Sequence, residues 1–197
     1  MNDLTKMAQQ VVSPSEIITH LTAPRIFASE KAEDYAALRA ELLEELAPRT
    51  AYERSLAENL VRYEWEMARL QRFRDTAILA EFRNLALRAL LTGDPTAFLP
   101  KDTSTEDDRL LIRDLVSPDN NERLEAEDDY RQRCTWEPAD LFGLAYARAN
   151  GVTKIEERIA DLERRRRILR ADYAALKATS KHSAADEAEI LETVSDD

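Results

Sequence analysis

Four consecutive arginines, Arg164 to Arg167, form the densest run of a single functional group in this chain. Guanidinium groups at that density can contact phosphates, and Arg170 and Lys177 would extend such a surface. Consecutive helical residues point about 100° apart, however, so four in a row radiate around a helix instead of lining one side. Glu163 with Arg167, and Asp161 with Arg165, are spaced four apart, as helix-supporting ion pairs are. The cluster reads first as a solvated, ion-paired face. Phosphate contact through Arg164, Arg165, Arg167 and Arg170 is one alternative, and pairing with an acidic protein surface is another.

Other chemistry-bearing residues are scattered. His20 and His182 stand far apart, and neither has a Cys, His or carboxylate at metal-ligand spacing. Cys134, beside Trp136, lacks a local base, and Arg131 and Arg133 would activate its thiol only by pointing at it. It reads as a half-buried structural cysteine. Adjacent carboxylates such as Glu44–Glu45 and Asp107–Asp108 do not face one another across a cleft, as a glycosidase pair must. The Glu-x-x-His signature of di-iron bundles is missing, and three isolated glycines make no phosphate loop. The expectation is a non-enzyme without catalytic residue, cofactor or metal.

Composition states what must carry these residues. Of 197 residues, 34% are charged, 7% are aromatic and only three are glycine. Ala, Leu, Glu and Arg dominate, and these lose little freedom in a helix. Gly-rich turns and β-branched runs, which sheets need, are lacking. The net charge of -11 disfavours nucleic-acid binding through bulk charge. The acid is concentrated from Glu106 to Asp129 and from Asp186 to Asp197. Met1 to Val12 is mixed and polar, unlike a secretory leader, and no apolar run approaches the ~20 residues that span a bilayer. A cytoplasmic protein that does not enter the membrane is expected.

Periodicity divides the chain. Residues 1–28 form a weakly ordered arm in which Ser13-Pro14 suits a short helix bearing Ile17, Ile18 and Leu21. Residues 29–92 form a two-helix unit. Its first helix opens at Ser29, carries Ala32, Tyr35, Leu38, Leu42 and Leu46 on one face, and ends before Pro48. Thr50 and Glu53 make a capping box, and the helix behind it meets no Gly or Pro until Gly93. That predicts about 40 residues and roughly 60 Å of helix. Leu56, Leu60, Tyr63, Met67 and Leu70 alternate by four and three along it. Val61 and Trp65 lie off this seam, so the helix is expected to contact neighbours on more than one side.

Residues 93–104, with Pro95 and Pro100, read as a loop. Residues 105–150 read as short, partly acidic helices: one capped by Thr105 and Asp108, one restarting at Ser117-Pro118, and one beginning at Pro138. Residues 151–180 give the most regular pattern. Thr153 and Glu156 suit a second capping box, and Ile155, Ile159, Leu162, Arg166, Leu169, Tyr173 and Leu176 step by four and three. That is the seam of a coiled coil or helical hairpin, with Arg166 its single polar member. Residues 181–197 form an acidic tail. The fold class is therefore all-α, an elongated helical bundle or hairpin with two long amphipathic, coiled-coil-like helices.

The stretch LRAELLEELAPRTAYERSLAENLVRYEWEMARLQRFRD, Leu38 to Asp75, resembles a group of uncharacterised bacterial Leu/Glu/Arg-rich helical proteins. They share an amphipathic helix, a Pro/Thr break, and a long helix with Trp and spaced Arg. IEERIADLERRRRILRADYAAL, Ile155 to Leu176, resembles the Arg-rich helix closing many of them. Together these stretches cover about a third of the chain. Such proteins are often met near mobile or phage-like elements, and the resemblance implies no catalytic residue.

These features lead to a non-enzymatic helical scaffold or adaptor acting through helix–helix contacts. Its partner would be protein, either a second copy or another helical chain. The second expectation is a nucleic-acid accessory protein of a mobile or phage-like element. The third is an enzyme whose site is assembled from distant helices.

Overall fold

The computed structural model describes residues 24–100 and 103–195, with side chains through residue 179. The Ser13-Pro14 helix start, Ile17, Ile18, Leu21 and His20 lie outside the described residues, as does the side chain of His182. Six α-helices follow in order: α1 Ala32–Leu46, α2 Ala51–Thr92, α3 Glu106–Asp114, α4 Asn120–Arg133, α5 Pro138–Arg148 and α6 Val152–Ser195. No strand occurs among the described residues, and the fold is all-α.

The helix starts follow local chemistry, with four departures from the sequence reading. Helix α1 starts at Ala32, not Ser29, because Glu30 is drawn away to accept from the Phe27 N–H at 2.9 Å. Before α2, Thr50 Oγ1 accepts from the Glu53 N–H at 3.1 Å, as a cap should. The Glu53 carboxylate, however, accepts from the Arg49 N–H at 2.6 Å, one residue earlier than a reciprocal box requires. Helix α4 is capped by Asp119, which accepts from Asn121 and Glu122, while Ser117 Oγ donates to Glu122 at 2.6 Å. Helix α6 begins at Val152, so Thr153 falls inside its first turn and caps nothing. Its Glu156 accepts from the Tyr146 hydroxyl instead.

The remaining boundaries match their residues. Thr105 and Asp108 form a complete capping box on α3. Pro138 opens α5 at its first turn. Gly93 ends α2 at φ 75, its N–H reaching the Ala89 carbonyl at 2.8 Å. Helix α6 departs at its far end, continuing to Ser195 where an acidic tail was expected over 181–197.

The described residues group into two compact units. One takes the residues through Arg69 together with those from Ile159 onward, and the other is Leu70–Arg158. Both long helices contribute to each.

In the first unit, α2 buries Ala57, Leu60, Val61, Trp65 and Met67, and α6 buries Ile159, Leu162 and Tyr173. Helix α1 has no fully buried residue. Its Tyr35, Leu38, Leu42, Leu43 and Leu46 form a half-buried stripe at helical spacing. Tyr35 meets Trp65 edge-on at 5.4 Å between ring centroids. Val61 and Trp65 are buried although they lie off the Leu56–Leu70 seam.

The second unit has a continuous apolar core. Ile78, Phe82, Leu85, Ala86 and Ala89 of α2 pack with Leu111, Ile112 and Leu115, with Ala126 and Tyr130, with Leu141 and Ala145, and with Val152. Two polar handles fasten it. Tyr130 donates its hydroxyl proton to the Ala86 carbonyl at 3.0 Å, and Trp136 Nε1 donates to the Gly93 carbonyl at 3.1 Å.

Candidate helix–helix interaction site

The seam on α2 and α6 is the most extensive functional candidate. In the first unit, Leu60, Met67, Ile159, Leu162 and Tyr173 are buried, while Leu56, Tyr63, Leu169 and Leu176 are half-buried. Leu70 and Ile155 belong to the second unit, where each is half-buried.

Polar groups bracket this seam and tie the helices together. Arg166 interrupts the apolar run, and its Nη1 donates to both carboxylate oxygens of Glu64 on α2, at 3.0 and 3.1 Å. An arginine can hold a place in an apolar seam because its head reaches out to an acid. One turn past Leu169, Tyr173 donates to the Leu46 carbonyl at 2.9 Å. Lys177 Nζ donates to the Ala47 carbonyl at 2.5 Å and lies 3.3 Å from Glu53 Oε2. The end of α1 offers unsatisfied carbonyls, and α6 supplies donors for two of them.

Sequence reasoning missed the buried acids. Glu53 and Glu58 are each 1% exposed. Glu58 receives both guanidinium arms of Arg39, Nε at 2.9 Å among them. A similar fork joins Arg69 to Glu30 at 2.7 and 2.8 Å, with Arg69 also donating to the Arg25 carbonyl and lying 4.6 Å from the Phe27 ring centroid. Such bidentate pairing supplies the hydrogen bonds that a buried carboxylate requires. The available signal was Glu58 beside Ala57 and Val61, on the α2 side opposite the seam. A glutamate there faces either solvent or another helix's arginine.

Electrostatics act on the same ties. The Glu53 carboxyl is held below the usual range, first by the Arg49 N–H, with Lys177 and Thr50 adding to it against burial. Asp108 in the second unit is lowered mainly by the Thr105 hydroxyl, with Arg133 contributing. Burial drives the Tyr130 phenol upward. Each of these groups sits in a cap or interhelical tie.

The arginines keep separate roles. Arg164, Arg165, Arg167 and Arg170 are exposed. Arg165 pairs with Asp161 at 3.1 Å, one of the two spacings noted above. Arg167 instead turns its Nε to the backbone carbonyl of Glu163 at 3.4 Å. Arg164 and Arg170 have no ion-pair partner among the described residues. Beside them Ile168 is 56% exposed, at a shallow recess lined with Tyr63, Arg165, Leu169 and Asp172.

The second unit holds an apolar recess floored by Leu79, Phe82, Leu115, Val116, Pro138 and Phe142, with Arg123, Glu127 and Arg131 at its rim. These arginines are engaged by neighbours. Arg131 reaches Glu127, Asp128 and Glu137 within 3.1 Å, and Arg123 reaches the Asn120 side chain at 2.6 Å. Cys134 is half-buried at the end of α4, its N–H donating to the Tyr130 carbonyl. Among the described residues no helix is long and apolar enough to cross a membrane, and no group of three His, Cys, Asp or Glu side chains is placed to hold a metal. No family model, curated protein or solved structure matches the chain.

Proposed function

We propose that this chain is a helical scaffold or adaptor that acts through helix–helix contacts with protein partners. In this reading α2 and α6 pair in a coiled-coil-like manner within the first unit and hold a partner-facing helix surface in place. The observation that supports it most is the division of labour on α6. One side packs Ile159, Leu162 and Tyr173 inward, with Arg166, Tyr173 and Lys177 tied to α2 and to the end of α1. The other side leaves Ile168 exposed among arginines. Light scattering and circular dichroism on Leu162→Asp and Leu169→Asp test the packing. Loss of helicity and a lower melting temperature are expected, more for the buried Leu162 than for the half-buried Leu169, since a carboxylate withdrawn from water is costly. Unchanged helicity, mass and melting would sink the reading.

One observation favours a second reading, a nucleic-acid accessory protein of a mobile or phage-like element. Arg164 and Arg170 are exposed cations without an acidic partner among the described residues, as phosphate contacts would be. Binding to nucleic acid that weakens steeply with salt, and is lost after neutral replacement of Arg164, Arg165 and Arg167, would support it. Absence of binding at low salt excludes it.

A further inference from the structure

We infer that the apolar recess of the second unit binds a small apolar monocarboxylate, its hydrocarbon body inside and its carboxylate on Arg123. The inference goes beyond the scaffold reading and does not rest on it, because the recess lies wholly within the second unit. About 350 Å³ of space is enclosed there, toward the lower end of the roughly 300–1,000 Å³ found for ligand pockets. Its floor is hydrocarbon. Phe82 and Phe142, 6.0 Å apart between ring centroids and inclined at 55°, line it with Leu79 and Leu115. Phe142 is 46% exposed, which leaves apolar surface in water that an apolar ligand body would cover.

Charge at the rim selects the head group. Glu127 is matched by Arg131 at 3.0 Å, and Arg131 also meets Asp128 and Glu137. Glu122, next to Arg123 on α4, is turned to the Ser117 hydroxyl, and Asp119 accepts from the amides of Asn121 and Glu122. Of the charges lining the recess, Arg123 is the one without an opposite charge among the described residues. It donates to two neutral oxygens, the Asn120 side chain at 2.6 Å and the Ser117 carbonyl at 3.3 Å. A guanidinium has five N–H donors, so those bonds hold it at the rim and leave others for a carboxylate. One unmatched cation beside hydrocarbon suits one negative charge. A cationic head would meet Arg123, and a doubly charged head would find no second free cation.

Calorimetric titration of the full chain with octanoate tests this, beside octanol and octylamine as probes of equal length with a neutral and a cationic head. The expected result is one octanoate per chain, held about tenfold more tightly than octanol, with octylamine weaker still. Arg123→Gln should weaken octanoate about tenfold, to the octanol level, and leave octanol unchanged. Ala139→Phe, which fills the recess from its own wall, should abolish binding of both, and circular dichroism verifies that each variant is folded. No octanoate binding at millimolar concentration overturns the inference. So does equal binding of the three probes, or undiminished octanoate affinity in either folded variant. The head-group comparison needs only the unaltered chain, so it decides the matter even where a variant fails to fold.

Discussion

The two units stabilise the same kind of secondary structure by different means. In the second, four helices and the start of α6 surround a continuous apolar core, fastened by Tyr130 and Trp136 on helix carbonyls and by one buried acid, Asp108, which Arg133 meets. In the first, α1 has no fully buried residue. There the helices are joined by forks and ties: Arg39 to Glu58, Arg69 to Glu30, Arg166 to Glu64, and Lys177 to Glu53. Helix α2 serves both: before Arg69 it buries the acids Glu53 and Glu58 along with its apolar residues, and after it the buried residues Ile78, Phe82, Leu85, Ala86 and Ala89 are all apolar. Apolar burial is non-directional and rewards area, whereas bidentate ion pairs specify one rotation and one register. In the first unit such pairs join α1 to α2 and α2 to α6.

The contrast can be tested at its strongest points first. Leu85→Ala in the second unit empties a fully buried site and should cost about 4 kcal/mol in denaturant unfolding. Its effect should be nearly independent of salt. Arg39→Ala in the first unit takes the guanidinium from a buried carboxylate and should cost about 3 kcal/mol, whereas Glu58→Leu, which removes the charge itself, should cost far less. Equal losses for those two variants would mean that packing, and not charge, joins α1 to α2.

Acid distinguishes the groups next. The Glu53 and Asp108 carboxyls lie below their ordinary values in the folded chain. Between the folded and unfolded pKa the unfolded chain therefore binds more protons. Their contribution is complete above the ordinary carboxylate pKa of about 4 and disappears as pH falls through the folded values. The melting temperature should drop below about pH 4, and Glu53→Gln and Asp108→Asn should each make that drop shallower.

Two smaller effects complete the series. Tyr130→Phe removes one buried hydrogen bond and should cost about 1 kcal/mol. Ala47, which ends α1 at φ 45 and ψ 60, occupies the left-handed region that disfavours a Cβ. Ala47→Gly should raise stability by roughly 0.5 kcal/mol in the same unfolding assay.

Much of the fold was legible because it depended on neighbours in the chain. Leu/Ala/Glu/Arg composition and the scarcity of glycine dictate helices, Gly93 and Pro138 mark boundaries, and the Thr105–Asp108 cap closes within one turn. Boundary errors arose where a distant or unexpected partner competed. Glu30 serves Arg69 instead of opening a helix at Ser29. Glu156 is taken by Tyr146 and not by a Thr153 cap.

Of the candidate site, the four-and-three spacing marked the buried side of α6, and exposed Arg164, Arg165, Arg167 and Arg170 could be placed around it. The acids that join the helices could not be foreseen. Glu53 and Glu58 look like surface residues of any charged helix until another helix brings an arginine or lysine to them.

What the residues determine alone is local: which segments become helices, which side of each is apolar, and where backbone caps end them. Such effects act within a turn or two and need no knowledge of the rest of the chain. Tertiary structure alone decides which charges are withdrawn from water and paired, and where one long helix passes from one core to another. Those outcomes depend on residues 19 positions apart in Arg39 with Glu58 and 102 apart in Glu64 with Arg166, and periodicity along a single helix carries no information about that separation.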